Sequence, residues 1–306
     1  MAIIEIEKLT KEFNGIRAVD ELTLSIPKGS IFGFLGPNGA GKTTTTMMLV
    51  GLIFPTSGEA RILGESIHGK GNYLKRIGFL PEVPAFYNWM TAREYLTFVG
   101  ELFKIETGKL KPKIEELLEL VGLKPEKKRI GSYSRGMRQR LGLAQALIND
   151  PEIVFLDEPT SALDPIGRKN ALDTIGSLKD RVTVFFSTHI LSDVERVCGE
   201  VAILNKGKLI THEKVKKLQQ KFGGNCILVN LTEISEGLFD ILNSIDWIIG
   251  LEKSENTIKL TVNDTNRAYY ELPKIFTAAG VGIIKLETVE TTLEDIFVRM
   301  VMNDGN

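Results

Sequence analysis

Residues 36–44 read Gly36-Pro37-Asn38-Gly39-Ala40-Gly41-Lys42-Thr43-Thr44, a run that fits G-x-x-x-x-G-K-[ST]. A triphosphate needs donors that converge on a small volume, and side chains alone rarely supply enough of them. Glycines let the backbone curl until consecutive N–H groups point inward, and the positive end of a following helix adds to the field. In such a loop Lys42 reaches the β and γ phosphates, while the Thr43 hydroxyl ligates Mg2+. A second group of reactive side chains closes the segment Ile153-Val154-Phe155-Leu156-Asp157-Glu158-Pro159-Thr160. Four apolar residues before two carboxylates predict a buried strand that delivers Asp157 and Glu158 to the carboxyl edge of a sheet, where α/β folds bind ligands. Asp157 is suited to hold the Mg2+ shell through water, and Glu158 to polarise an attacking water. Positioning and charge stabilisation account for most of phosphoryl-transfer catalysis, so two carboxylates near a metal suffice in principle. A glycine turn that happens to precede Lys-Thr, or a solvated strand end, is the blander reading of each motif taken singly. Their joint presence predicts a nucleoside triphosphate site.

The elements around these motifs have the order such a site requires. Ser30–Leu35 is an apolar run of strand length, and residues 44–52 lack turn signals until Phe54-Pro55, which predicts strand, glycine loop and helix. Earlier, Ile4 and Ile6 alternate with Glu5 and Glu7, and Leu22, Leu24 and Ile26 share a face, as half-exposed antiparallel strands do. Residues 58–64 read as a further short strand. Residues 91–148 are mostly helical in pattern, with Leu117, Leu118 and Val121 at helical spacing. Ile153–Leu156 and Val182–Phe186 have the near-continuous apolar character of parallel strands buried on both faces. Val201–Leu204 and Lys208–Ile210 flank a turn containing Gly207 and read as a hairpin. A boundary is expected near Phe222-Gly223-Gly224-Asn225, after the polar stretch Lys214–Lys221, giving domains 1–222 and 223–306. The second domain carries the β-α-β-β-α-β order of a ferredoxin-like fold: strand 227–231, helix 236–245, strands 247–252 and 257–262, helix 267–279 and strand 282–287. A last amphipathic helix, 292–302, has Leu293, Ile296, Phe297 and Met300 on one side.

Further segments supply a family resemblance. Tyr133-Ser134-Arg135-Gly136-Met137 precedes the carboxylate strand, Ser161-Ala162-Leu163-Asp164 follows it, and His189 follows Val184–Thr188. With Phe13 and the two motifs above, these elements stand in the order found in the nucleotide-binding subunits of ABC transporters, which most of residues 1–222 resembles. The resemblance implies an α/β phosphate-loop NTPase core with a mostly parallel sheet, an antiparallel β subdomain and a helical subdomain, joined to a small α+β tail. It implies ATP and Mg2+ as ligands, Phe13 stacked on the adenine, and residues 36–44 around the phosphates. It implies Thr43, Asp157 and Glu82 around the metal, and Glu158 with His189 at the attacking water. Two such subunits meet head to tail, so Ser134 and the Gly136 amide donate to the γ-phosphate held by the other subunit. ADP lacks that phosphate, so hydrolysis loosens the dimer, a ligand selecting one of two states by differential contacts. A packed aromatic is the alternative for Phe13, a core histidine for His189, and a turn glutamate for Glu82.

Two positions depart from the family pattern. The usual Leu-Ser-Gly-Gly-Gln is replaced by residues 133–137 as quoted, which keep Ser134 and Gly136. Glu82 stands where the family usually has Gln; a carboxylate coordinates Mg2+ more strongly than an amide but adds negative charge near the phosphates. The segment Val83–Thr91, rich in aromatics, corresponds to the groove that receives a permease's coupling helix, with packing inside the helical subdomain as the alternative for Phe86, Tyr87, Trp89 and Met90. The tail and Glu290–Phe297 resemble the accessory domain of drug-resistance-type exporter ATPases. The implied partners are an integral-membrane permease on a separate chain and a second nucleotide-binding subunit, in a homo- or heterodimer. The implied location is cytoplasmic, peripheral on the inner face of the cell membrane.

Composition narrows the choices. With 306 residues, 43% hydrophobic and 25% charged, the chain suits two domains of a soluble protein. A net charge of −1 leaves no electrostatic footprint for nucleic acid. Cys198, Cys226 and three histidines lack the spacing of a zinc site and fit reduced thiols. The first residues lack the basic start and long apolar core of a signal peptide, and no stretch reaches the ~18–20 apolar residues of a membrane span. A soluble ATPase of the same family acting on ribosomes or DNA is the competing reading, against a single cassette without heptads or basic surplus. A kinase or GTPase is disfavoured by residues 133–137 and by the lack of an Asn-Lys-x-Asp motif.

Overall fold

The computed structural model describes residues 2–123, 127–222, 225–234, 236–289 and 292–303. Gly223 and Gly224 of the expected boundary, and Glu290 and Thr291 of the tail segment, lie outside the described residues. Two compact units divide at Val215/Lys216.

In chain order the first unit begins β1 (Ala2–Phe13), β2 (Ile16–Pro27), β3 (Ile31–Leu35), α1 (Lys42–Leu49), β4 (Ser57–Ile62), β5 (Glu65–Ser66) and β6 (Ile77–Leu80). It continues with α2 (Ala92–Leu102), α3 (Thr107–Leu120), α4 (Arg135–Ala146), β7 (Ile153–Asp157) and α5 (Pro165–Ser177). β8 (Thr183–Thr188), α6 (Leu191–Val197), β9 (Glu200–Asn205) and β10 (Lys208–Lys214) complete it. Among the described residues, one sheet of this unit runs β2-β1-β4-β5 and the other β10-β9-β3-β8-β7-β6. The first is antiparallel, pairing Ile4 with Ile26, Ile6 with Leu24 and Leu9 with Leu22. Those side chains are buried while Glu5 and Glu7 are exposed, as the period of two demands.

The second sheet is parallel except for β10. Strands β3, β7 and β8 are buried along their whole length, which is why they lack polar alternation. Phe185 anchors the middle of this sheet, with ring centroids 4.9 Å from Phe34 and 5.4 Å from Phe155. Each such buried Phe contributes about 1.5–3 kcal/mol from area alone.

The helical pattern of residues 91–148 resolves into α2, α3 and α4 rather than one run. Thr91 and Glu94 form a reciprocal cap at the start of α2, which satisfies two N–H groups that the helix cannot pair itself. The polar stretch 214–221 before the expected boundary is the end of β10 and most of α7 (Val215–Phe222). Val215 and Leu218, both buried, share one face at i, i+3 spacing, a signal outweighed in the sequence by four lysines around them.

After α7 come β11 (Asn225–Leu231), α8 (Glu236–Asn243), β12 (Ile248–Ser254), β13 (Thr257–Val262), α9 (Thr265–Ala278), β14 (Ile283–Val289) and α10 (Leu293–Asn303). The sheet order β12-β13-β11-β14, antiparallel throughout, is the expected ferredoxin-like arrangement. Ile227, Val229, Ile258 and Leu260 pack with Leu238, Leu242, Leu272 and Phe276 in one core. Lys259 and Asp295, 2.6 Å apart, pin α10 to β13, with Leu293 and Ile296 buried beside them.

Candidate active site

Register in the parallel sheet decides where the reactive groups meet. β3 pairs with β8 so that Leu35 lies beside Thr188, and β7 pairs with β8 so that Asp157 lies beside Ser187. The loop after Leu35, Glu158 after Asp157, and His189 after Thr188 therefore all leave the sheet at one carboxyl edge.

The loop itself tolerates little change. A Cβ on Gly36 would meet the Leu204 carbonyl at 2.6 Å, and one on Gly41 the Ala18 carbonyl at 2.4 Å. Gly41 also has φ 98°, a conformation that costs other residues energy. Pro37, Asn38 and Gly39 form the exposed rim, while Ala40 is buried and its carbonyl accepts from the Gly207 N–H at 3.2 Å. Helix α1 starts at Lys42, two residues earlier than its sequence pattern indicates, without a side-chain cap. The N–H groups of Lys42, Thr43 and Thr44 thus have no intrahelical partner, which makes this end an anion-binding cradle.

Lys42 is buried, and its ammonium donates to the carbonyls of Gly36 at 2.8 Å and Pro37 at 3.3 Å. It lies 3.6 Å from Glu158 Oε1. Glu158, also buried, has φ 48° and donates its N–H to the Ser187 carbonyl at 2.9 Å. The Thr188 hydroxyl donates to Glu158 Oε2 at 3.2 Å, and His189 Nδ1 lies 2.9 Å from Oε1. A carboxylate only accepts, so Nδ1 carries the hydrogen of this contact. The His189 side chain is 44% exposed, which excludes the core-histidine reading.

Burial pushes the Asp157 carboxyl above its ordinary range; hydrogen bonds from Thr43 and from Ser187, the latter at 2.9 Å, pull it back, and the charges of Glu158 and Glu82 push it up again. Asp157 is thus within electrostatic reach of Thr43 and of Glu82, which is exposed beyond β6. An oxygen-only set of this kind fits Mg2+, which takes one or two carboxylates and completes its shell with water and substrate phosphates. Among the described residues no cluster of three or more His, Cys, Asp or Glu could hold a metal alone. Asp157→Asn is expected to melt about 2–4 °C higher without nucleotide, the shift that ~1 kcal/mol gives a domain of this size. Because the folded-state pKa is raised, the charge costs stability above it, so the gain shrinks as pH falls through the carboxylate range. Calorimetry of both proteins at neutral pH checks this, and a lower melting point in the variant counts against it.

Phe13 ends β1 with 47% exposure and Lys11 Nζ 5.0 Å above its ring, so it is not a packed core aromatic. Ser134 caps α4, accepting the Met137 N–H at 3.2 Å, and Gly136 abuts Leu163. No described hydrogen bond or ion pair joins Ser134 or Gly136 to residues 36–44 of the same chain. Ser187 and Thr188, which hold the two carboxylates, were not singled out from the sequence. Their signal is two hydroxyl residues closing an otherwise apolar strand.

What the sheet gathers at its edge is the apparatus of a phosphate-loop NTPase. Residues 19–161 match the family model described as ABC transporter, and residues 214–301 match that of the ATP-binding protein DrrA1-3-like, C-terminal domain. An uncharacterised ABC transporter ATP-binding protein of Bacillus subtilis (strain 168) is 39% identical over 98% of this chain and 99% of its own. The bacitracin transport ATP-binding protein of Bacillus licheniformis is 40% identical, covering 98% and 97%. The linearmycin resistance ATP-binding protein of Bacillus subtilis (strain 168) is 31% identical, covering 97% and 98%. A solved ATP-binding subunit of an ABC transporter superposes with a TM-score of 0.66 at 25% identity, over 72% of this chain and 93% of that one. The chain belongs to the ATP-binding proteins of ABC transporters, ATPases whose hydrolysis is coupled to transport. Among the described residues no helix is long and apolar enough to cross a membrane.

Proposed function

We propose that this chain is the ATP-hydrolysing half of an exporter, working as a dimer beneath a separate integral-membrane permease. The observation that carries the catalytic part is the contact of Glu158 with His189 and Lys42 at the mouth of the glycine loop. Lys42 and the backbone N–H groups of the loop 36–44, Pro37 having none, bind the phosphates, and Phe13 stacks on the adenine. Glu158, oriented by Thr188 and His189, takes the proton of the attacking water. Thr43, Asp157 and Glu82 would hold Mg2+, which would supply charge neutralisation to the phosphates. Ser134 and Gly136 complete the site of the other subunit, so turnover requires two subunits, identical or not.

The permease reading is supported by the surface beside Glu82. Val83, Tyr87 and Trp89 are exposed, Trp89 by 62%, whereas Phe86 is half-buried against Tyr95 at 5.1 Å. Exposed aromatics of this kind suit an apolar helix laid in a groove. The subunit then sits on the cytoplasmic, inner face of the cell membrane. Export, with a drug-like substrate, is supported by the names of the bacitracin and linearmycin relatives and by the matched tail. Affinity purification from solubilised membranes tests this: a multi-span membrane protein should co-purify in stoichiometric amount and stimulate ATP turnover. Recovery with ribosomes or DNA instead would overturn it.

In this reading the chemistry belongs to residues 1–222 and the tail supports assembly. A chain ending near Lys221 should bind Mg-ATP within about tenfold of the full protein, a difference of ~1.4 kcal/mol. Loss of nucleotide binding by a truncated protein that circular dichroism shows to be folded would sink the division.

A further inference from the structure

Asp193 is a buried carboxylate that the proposed chemistry does not use. It lies in the first turn of α6 and is 1% exposed, a placement that is costly unless both oxygens are paired. Two different elements pair them. The Thr160 hydroxyl donates to Oδ2 at 2.6 Å, and Arg168 of α5 donates through Nε to Oδ1 at 2.7 Å. Arg168 also bonds the Ser192 hydroxyl at 2.9 Å.

Thr160, itself 1% exposed, belongs to the turn that follows Glu158. In that turn the Ser161 N–H donates to the Glu158 carbonyl at 3.3 Å and the Leu163 N–H to the Thr160 carbonyl at 3.2 Å. Glu158 has its φ in the left-handed region, which a side-chain-bearing residue keeps only where its surroundings over-determine it. Upstream, the strand pairing and Thr188 hold it; downstream, the Ser161 hydroxyl donates to the Glu158 carbonyl at 3.1 Å, and Thr160 anchors the turn to Asp193. The same Asp193 donates its N–H to the Ile190 carbonyl at 3.2 Å, and the Ile190 N–H donates to Thr188 Oγ1 at 3.1 Å. One residue therefore touches both segments that present Glu158 and His189, through its carboxylate on the Thr160 side and its backbone N–H on the Ile190 side.

We infer that Asp193, acting through the Thr160 hydroxyl, is a positioning residue for ATP hydrolysis: it keeps Glu158 and His189 in mutual register while taking no part in binding nucleotide. This rests on the reading of Glu158 as the group that activates water. If the Asp193–Arg168 pair only joined α5 to α6, the Thr160 hydroxyl would be dispensable for turnover.

The test uses the full chain with Thr160→Val, Thr160→Ser, Asp193→Ala and the Val/Ala double variant, measuring kcat, KM and ATP affinity by titration. Thr160→Val should lower kcat by ~10- to 10²-fold, the scale of a displaced catalytic group, with KM and ATP affinity unchanged. Thr160→Ser, which restores the donor, should recover most of that loss, and the double variant should be no slower than the slower single one. Wild-type kcat in Thr160→Val, or losses in the two single variants that multiply, would overturn the inference. Asp193→Ala, which leaves the Thr160 hydroxyl no acceptor there, keeps it testable should the valine variant fail to fold, since wild-type kcat in it overturns the inference equally. Glu158→Gln serves as the reference: if it retains turnover, the reading of the site fails; if it is inactive while Thr160→Val is unaffected, only the bracing role fails.

Discussion

Glu158→Gln is expected to leave ATP binding intact and to slow hydrolysis by at least ~10²-fold, the scale associated with losing a general base. Glutamine has the same size and can still accept from Thr188, so the surrounding packing is preserved. It lacks the negative charge that lies 3.6 Å from Lys42 and 2.9 Å from His189, and an amide cannot take a proton from water at neutral pH. With the γ-phosphate retained, the variant should accumulate as an ATP-bound dimer on size-exclusion chromatography. Phosphate release under saturating Mg-ATP is the decisive measurement, because isolated subunits can associate weakly. Unchanged turnover would remove Glu158 from the mechanism.

Lys42→Ala should abolish ATP binding. The buried ammonium is the one full positive charge that the described contacts bring to the loop carbonyls, and its removal also strands the buried Glu158 carboxylate. Removing the charged partner of a desolvated phosphate costs about 2–5 kcal/mol of binding, so affinity should fall by at least ~30-fold. Equilibrium titration with a fluorescent ATP analogue, on protein shown to be folded, measures it. Near wild-type affinity would refute the assignment of the loop.

The two experiments separate binding from chemistry, and the geometry explains why they can. Lys42 belongs to the glycine loop and helix α1, whereas Glu158 hangs from a different strand and is steered by Thr188 and His189. A change in one leaves the backbone of the other supported by its own part of the sheet. The Thr160–Asp193 contact tightens that separation, since it reaches Glu158 without touching the loop.

Much of this was legible in the chain because the informative groups are contiguous. Gly36 to Thr44 forms its cradle from consecutive backbone amides, so the run itself encodes the site. Asp157 and Glu158 were legible because an apolar strand ends abruptly in charge, and the parallel core and ferredoxin-like tail because their hydrophobic periods are unmixed. Helix α7 was obscured by its lysines, which carry no period of their own. What the tertiary structure decided is everything that depends on strand register. Ser187 touches Asp157 and Thr188 touches Glu158 only because β7 and β8 align as they do, and no local pattern reports an alignment between segments so distant in sequence. The backbone of Glu158 in the left-handed region, the exposure of Phe13 and His189, and the burial of Asp193 against Thr160 belong to the same class. Local sequence can specify a loop whose donors are its own neighbours; it cannot specify which side chains a parallel sheet will set side by side, since that is fixed by packing over the whole core.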